Sequence, residues 1–526
     1  MERRTFLKKS IPTVTFLPTM INGLAVRAFG AESPLMQQLV MPANDTDHVL
    51  VIVQLSGGND GINTVIPLST YSNYYNARTN IAIPEGKVLR LSGYGDSGLH
   101  PAMTGMQALF NEGKATILQA VGYPLPNFSH FRATDIWMSA SDSTAVLNTG
   151  WAGRYLNVEY PNYPNDYPNT TMPDPLAVQI GSITTLTCQG PAVNMGMSIT
   201  DPTSFYNLLN GVEDPAPNTP MGYELTYIRD AMKQTNQYAQ RVKVAALNVP
   251  KQAAYPANNP LAAQLKIVAR LIKGGLKTRV YMVSYGSFDT HASQATAADT
   301  TVGTHATLLG NVSDAIKSFQ DDLKLLGIDD RVIGMTYSEF GRRIKSNASG
   351  GTDHGAAAPI FLFGKHVTPG LLGNNPAIPA AVTVNDNVPF QYDFRSVYAS
   401  VLERWFCMDS TELEMVMMKK YQSLDIVNNP ACKPSNPLPA GRALVTNYPN
   451  PFVGTTRIEF VTNGGHTLVQ IINGLGQVIK TLVDAEYASA GTYNTLFDSG
   501  GLSTGVYYAR LQNGPNQQVR AMLKVR

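Results

Sequence analysis

Cysteine is scarce in this chain. Three residues, Cys188, Cys407 and Cys432, lie far apart in 526, so neither a disulfide framework nor a CxxC metal knuckle can be built from them. One bridge, Cys188–Cys432 or a similar pairing, would suit an oxidising compartment; free thiols are the simpler expectation. Charge is sparse as well: Asp, Glu, Lys and Arg make up 15% of the residues, and the formal net charge is +2. No basic run occurs beyond the first nine residues, so the electrostatic footprint of nucleic-acid binding is missing. Long apolar runs are also lacking. Nothing approaches the ~18 consecutive apolar residues of a spanning helix, which predicts no membrane span in the mature chain. Hydrophobic residues nevertheless reach 44%, which excludes wholesale disorder. The length suits one large α/β core with an appendage.

The two ends differ from the middle. Residues 1–31 combine a basic head, a modestly apolar body from Ile11 to Val26, and small residues around Ala28 to Ala31. That order describes a removable export signal. Arg3-Arg4 followed by Thr5-Phe6-Leu7-Lys8 resembles a twin-arginine signal; an ordinary secretory signal carrying two arginines is the alternative. At the other end, Asn429 to Gly441 is rich in Pro and Asn and lacks periodicity, as a linker does. Short β-branched or alternating runs follow in 442–526, at 456–462, 467–473, 478–483, 493–497, 506–512 and 519–525, punctuated by Gly and Asn. Their spacing predicts a small antiparallel β-sandwich.

This tail resembles the C-terminal sorting domain of type IX secretion cargo. The resemblance rests on Asn447-Tyr-Pro-Asn-Pro-Phe452, Gly491-Thr-Tyr493, Leu502-Ser-Thr-Gly-Val-Tyr-Tyr508 and the closing Lys524-Val-Arg526. It implies the export and type IX secretion machinery as partners, with passage through the periplasm to the cell surface or beyond. A carbohydrate-binding β module is the rival reading. A lipase-like Gly501-Leu-Ser503-Thr-Gly505 lies in this β region, with a strand after it where a nucleophile elbow needs a helix, so the match is spurious.

Between the ends, Val49–Leu55 is a near-continuous apolar run that exits into Ser56-Gly57-Gly58-Asn59-Asp60-Gly61. Such a run reads as a parallel strand buried on both faces. Strands are likewise expected at 115–121, 279–285, 332–337 and 359–363, and helices from near Ser129 and over 261–272, 306–326 and 396–406. The alternation predicts an α/β fold over residues 45–428: a mostly parallel sheet with helices on both faces. Residues 157–260, rich in Pro, Asn and Tyr, read as an insertion forming a cap or wall at one edge.

Ligands of such sheets bind beyond the carboxyl ends of the strands, and polar residues gather in those loops. They are Asn59-Asp60, Asn127-Phe-Ser129-His130, Phe288-Asp289-Thr-His291, Ser338-Glu339-Phe-Gly-Arg342-Arg343 and Gly351-Thr-Asp353-His354-Gly355. Each is weak alone, because these are common turn residues. His100 in Leu99-His-Pro101 reads as structural, Asp353 as a turn cap or a site residue in equal measure, and His305 and His366 as surface residues.

Together with Leu99-His-Pro101, these motifs resemble the bacterial family catalogued as domain of unknown function 1501, over roughly residues 45–428. That family in turn resembles the alkaline phosphatase and sulfatase superfamily. The resemblance implies an alkaline phosphatase-like fold and a divalent-metal site hydrolysing phosphate or related anionic esters, with a small anionic ester or a surface glycan as substrate. Carried over by position, Asp60 is the first metal ligand, Ser129 the nucleophile, and Asp289, His291, Glu339 and His354 the remaining ligands. Arg342 or Arg343 would clamp the ester oxygens. Imidazoles with carboxylates suit Zn²⁺ or Mn²⁺, and a carboxylate-heavier set suits Ca²⁺ or Mg²⁺. Asp60 and Glu339 would share one ion with Ser129 facing it, and Asp289, His291 and His354 would hold another. Departures are evident. Glu339-Phe340 stands where Asp-His is usual, Asp289 and His291 are two apart, and Cys188-Gln-Gly-Pro lacks the spacing and arginine of a sulfatase signature. A non-catalytic surface binding protein retaining the hydrolase fold is therefore the alternative function.

Overall fold

The computed structural model describes residues 19–21, 24–26 and 46–525, except 162, 165–166, 203–236, 250, 430–431, 433–443, 449–451, 474–475 and 515. Most of the expected export signal and most of the linker lie outside the described residues. The chain divides into two units: residues 46–408 with 420–432, and a second unit containing 409–419 and 433–526.

The larger unit is built on a nine-stranded sheet. Its strands are β1 (Val49–Leu55), β2 (Ala115–Gly122), β3 (Ala177–Ile180), β4 (Gly196–Ile199), β5 (Val280–Tyr285), β6 (Val332–Tyr337), β7 (Ala358–Gly364), β8 (Gly370–Leu372) and β9 (Tyr392–Asp393). Their order is β8-β2-β7-β6-β1-β5-β3-β4, with β9 also pairing β2. Central β1 is parallel to both neighbours, β5 and β6, and all seven of its residues are buried. Burial on both faces is why it reads as uninterrupted apolar sequence. Strand β7 differs from its neighbours: it runs antiparallel to both β6 and β2. Residues 157–202 do more than wall one edge, because β3 and β4 extend the sheet itself, parallel to β5 and to each other.

Helices α1 (Thr104–Asn111), α2 (His130–Ser139), α3 (Trp151–Glu159), α4 (Pro260–Lys273), α5 (Thr304–Leu326) and α6 (Phe394–Arg404) cover the sheet. Asn259 caps α4 by accepting from the backbone N–H groups of Leu261 and Ala262, and Pro260 fills the first helical position. Val51 and Val53 of β1 share one buried cluster with Leu265 and Ala269 of α4 and Ile316 and Phe319 of α5. Trp137 of α2 stacks on Phe394 of α6 at 4.2 Å, and Trp151 of α3 stacks on Tyr398 of α6 at 4.4 Å.

Strand register brings five loops to one edge. The last residue of β1, Leu55, pairs with the last of β5, Tyr285, and Gln54 pairs with the last of β6, Tyr337. Antiparallel β7 starts where those strands end, and its Ala358 pairs with Val121 near the end of β2. The loops leaving β1, β2, β5 and β6, and the loop entering β7, therefore open on the same side.

Cys407 and Cys432 form a disulfide, with Cα atoms 4.9 Å apart, in place of the expected free thiols or Cys188 pairing. Cys188 is the one left free, and burial pushes its thiol up to about 12. Closing a 25-residue separation stabilises chiefly by restricting the unfolded chain, by about 3 kcal/mol. Reduction should lower the urea midpoint accordingly and raise m somewhat, because the opened unfolded chain exposes more surface, while thiol reagents label nothing in the native oxidised unit and Cys188 alone after denaturation.

His305, expected on the surface, is 2% exposed and hydrogen-bonds through Nε2 to Asn59 Oδ1 at 3.0 Å. His100 is also 2% exposed and accepts from the Ala102 N–H. The two rings meet edge-on. Burial lowers His100 to about 3 and His305 to about 4. The unfolded chain therefore takes up protons on these two residues more readily than the folded one. Their contribution is complete above an unfolded pKa of about 6.5 and is lost as pH falls towards 4, by a few kcal/mol for the pair. Urea melts at stepped pH should show this decline, and His305→Gln should flatten it.

In the second unit, β10 (Leu444–Tyr448), β11 (Thr455–Asn473), β12 (Val478–Asp498), β13 (Gly505–Asn513) and β14 (Asn516–Lys524) form one antiparallel sheet. Runs expected as separate strands at 456–462 and 467–473 are one long β11, and those at 478–483 and 493–497 are one β12. Three irregularities in the β11–β12 pairing, the first at the glycines 464–465, let the strand turn. Ile458 and Phe460 from one half, and Val469 and Ile471 from the other, consequently enter the same core with Phe497, Leu511 and Met522. Phe452, the last residue of the Asn447–Phe452 motif, is buried in that core.

Candidate metal centre

At the loop edge of the large unit, three histidines and one aspartate come together. His130 starts α2, Asp289 and His291 follow β5, and His354 precedes β7. One donor atom from each of His130, Asp289 and His354 lies within 4.8 Å of the others. His354 Nε2 is 3.1 Å from Asp289 Oδ1, and His130 Nε2 is 3.4 Å from Asp289 Oδ2. His291 Nε2 lies 3.1 Å from Asp289 Oδ1 and 2.9 Å from His354 Nε2.

Hydrogen bonds orient each ring. His130 Nδ1 faces Glu339 Oε1 at 2.9 Å, His291 Nδ1 faces Asp353 Oδ1 at 3.0 Å, and His354 Nδ1 faces the Phe128 carbonyl at 2.8 Å. Ionised carboxylates and carbonyls only accept, so each Nδ1 donates there, and a ring otherwise unprotonated has Nε2 free for a cation. Two bare nitrogens 2.9 Å apart repel unless they share a cation or a proton. Ligands about 2.0–2.1 Å from a tetrahedral ion stand about 3.3 Å from one another, close to the spacing found. The donor set thus fits a divalent metal of the borderline class.

Glu339 is 1% exposed and also accepts the Gly57 N–H at 2.8 Å. It stands behind His130 as its orienting partner, a carboxylate–histidine arrangement common behind metal ligands. Burial opposes ionisation of Asp289, but hydrogen bonds from Arg342 and His354 outweigh it and hold its carboxyl near 2. Burial, only partly offset by the Phe128 carbonyl, lowers His354; a neutral imidazole is the form a metal needs.

Other expected site residues are placed differently. Asp60 has no exposure and pairs with the equally buried Arg78 at 2.6 Å; Gln294 Nε2 donates to the same oxygen. Arg342 is also buried: its guanidinium donates to the carbonyls of Gly57, Gly58, Phe288 and Thr352 and to Asp289. It holds the strand-exit loops together and has no face left for an ester. Ser129 is the exposed residue before α2, and its side chain makes no capping bond. Arg343, by contrast, is only half-buried and stacks over Phe128 at 5.1 Å. It lines a cleft of about 320 Å³ together with Phe128, His291, Asp353, His354, Val384 and Asn385.

The two glycines after β1 are required by this packing. A Cβ at Gly57 (φ +122°) would lie 2.4 Å from the Asp289 backbone nitrogen, and one at Gly58 (φ +79°) would lie 2.3 Å from the Phe340 ring. Phe340 in turn lies against the rings of His130 and His354. His130 was visible in the sequence as part of Asn127-Phe-Ser-His130, but a helix start and a ligand look alike there. Arg78 and Gln294 gave no signal, since nothing near them in sequence marks a partner for Asp60.

Comparison with known proteins covers the later of these motifs, from Phe288 onward. Residues 216–416 match the family described as protein of unknown function DUF1501, and residues 446–524 match the secretion system C-terminal sorting domain. The sorting domain implies export to the cell surface or the extracellular space. Among solved structures, similarity extends to a protein in the alkaline phosphatase superfamily from Vibrio parahaemolyticus (9% identity, 92% of this chain and 84% of that one, TM-score 0.32). It extends also to the PsFucS1 sulfatase from Pseudoalteromonas sp. (10%, 85% and 83%, 0.31). A third is Ps i-CgsB in complex with a neocarrahexaose (12%, 79% and 83%, 0.34). No curated protein matches the sequence. Among the described residues no helix is long and apolar enough to cross a membrane.

Proposed function

We propose that this chain is an exported, metal-dependent hydrolase of phosphate or related anionic esters. The observation that carries the reading is the convergence of His130, Asp289 and His354, with His291 beside them, at a cleft walled by Arg343. His130, Asp289 and His354 would hold the ion, leaving a position open beside His291. A divalent ion there supplies Lewis acidity towards an ester oxygen and a water of lowered pKa. Arg343 offers the ester's remaining oxygens a guanidinium that is reachable from the cleft, whereas Arg342 is wholly buried. Glu339, Asp353 and the Phe128 carbonyl keep the imidazoles in the tautomer that presents Nε2. Ser129 is retained as a nucleophile only for a substrate that reaches the start of α2.

Purified full-length protein should hydrolyse a chromogenic phosphate monoester, lose that activity on chelation, and regain it when Zn²⁺ or Mn²⁺ is restored. A sulfate ester run in parallel separates the two ester classes. Metal-replete protein inactive on both, yet retaining anionic glycans, would favour the second reading, a surface binding protein with a hydrolase fold. The exposed Ser129 and the fully engaged Arg342 are the observations on its side. For export, we propose twin-arginine transport into the periplasm before the sorting domain acts. Arg3 and Arg4 changed to Lys should leave unprocessed protein inside the cell, whereas normal export would indicate the ordinary secretory route.

A further inference from the structure

The position that family resemblance makes the first metal ligand is Asp60, and the structure gives it a different partner. Arg78 Nη1 meets Asp60 Oδ2 at 2.6 Å, with both side chains wholly buried. The same guanidinium donates to Asn63 Oδ1 and to the carbonyls of Arg343 and Ile344, so it is fixed on several sides. Gln294 Nε2 also donates to Asp60 Oδ2, while its Oε1 accepts from Thr290 and Thr352. Asp60 thereby braces the loops carrying Asp289, His291 and Asp353 from behind. Its other oxygen, Oδ1, is buried and has no hydrogen-bond partner. Among the described residues it belongs to no group of three ligating side chains. One carboxylate with a guanidinium already on it is too few donors for an ion, which needs at least three protein ligands.

We infer that the chain holds one ion, not two, and that the Arg78 guanidinium supplies at Asp60 the positive charge a second ion would bring. The single ion is held by His130, His354 and Asp289, with its fourth position open to water and His291 beside it. Two imidazole nitrogens and one carboxylate oxygen favour Zn²⁺ or Co²⁺ over Ca²⁺ and Mg²⁺, which take oxygen donors. The inference rests on the metal-dependent reading above and adds the number, the kind and the ligands of the ion.

Full-length protein stripped with a chelator and titrated with Co²⁺ tests it, by calorimetry and visible absorption together. One equivalent is expected, with the intense bands of four-coordinate cobalt, and excess Ca²⁺ or Mg²⁺ should not displace it. Asp60→Asn should keep the equivalent and the spectrum, whereas His291→Ala should weaken binding by about 10-fold or more and alter the bands. Two equivalents in the unchanged protein would overturn the single-ion inference and leave metal dependence standing. So would loss of the ion from Asp60→Asn in a chain that keeps its near-UV circular dichroism. No equivalent at all would overturn both readings. Stoichiometry of the unchanged protein decides by itself if Asp60→Asn does not fold.

Discussion

His354→Ala should cost this protein its ion at concentrations that saturate the unchanged chain, an affinity loss of about 100-fold or more, and hydrolysis should fall with it. His354 stands at the middle of the cluster: its Nε2 lies 2.9 Å from that of His291 and 3.1 Å from Asp289 Oδ1. Deleting an orienting partner behind a ligand typically costs 10–100-fold in metal affinity or activity, so losing a ligand itself should cost at least the top of that range. Glu339→Gln supplies the graded comparison. Its amide can still accept from His130 Nδ1 but no longer with a full charge, so about 10-fold is expected. Titration with Zn²⁺ against a competing chelator measures both. A His354→Ala chain with unchanged affinity and unchanged circular dichroism would show that the ion, if bound, lies elsewhere.

Arg78→Met should destabilise the large unit by about 3–5 kcal/mol, because it leaves the Asp60 carboxylate uncompensated in a dry interior. The cost should come mostly from the stranded charge. Adding Asp60→Asn to Arg78→Met should therefore recover a good part of it, an interaction between the two sites visible in a double-mutant cycle. Arg78→Met also removes donors to the carbonyls of Arg343 and Ile344, so recovery should stop short of complete. Urea denaturation of the four chains gives the energies. Additive effects would mean that the pair, despite its 2.6 Å contact, contributes nothing as a pair.

The sequence determined by itself what periodicity and punctuation determine. Strands β1, β2, β5, β6 and β7 lie where apolar runs and glycine exits placed them, because a strand buried on both faces has no polar alternation to hide it. The five polar loops were legible for the same reason: four begin where an apolar run stops, and the fifth leads into one. The sorting domain was legible from its Asn447–Phe452 opening and its regular strand spacing, though not the joining of its short runs into two long bent strands. Pairing between residues well apart in sequence was another matter. Cys407 finds Cys432 and Asp60 finds Arg78 only because the folded backbone brings them together, and no local pattern records either.

The direction of β7 is the clearest case of what tertiary structure alone decided. A five-to-seven-residue apolar run reads the same whether it is parallel or antiparallel, yet the antiparallel choice is what sets His354 before the strand at the edge where Asp289 and His291 follow one. Sequence position made Asp60, Ser129, Glu339 and Arg342 look equivalent to the histidines, since all stand at strand exits. Burial separates them. Asp60 and Arg342 have their charges engaged inside the fold, Glu339 lies behind His130, and Ser129 faces solvent. Side-chain direction within a loop depends on what packs against it from distant parts of the chain, and that information exists only in the assembled fold.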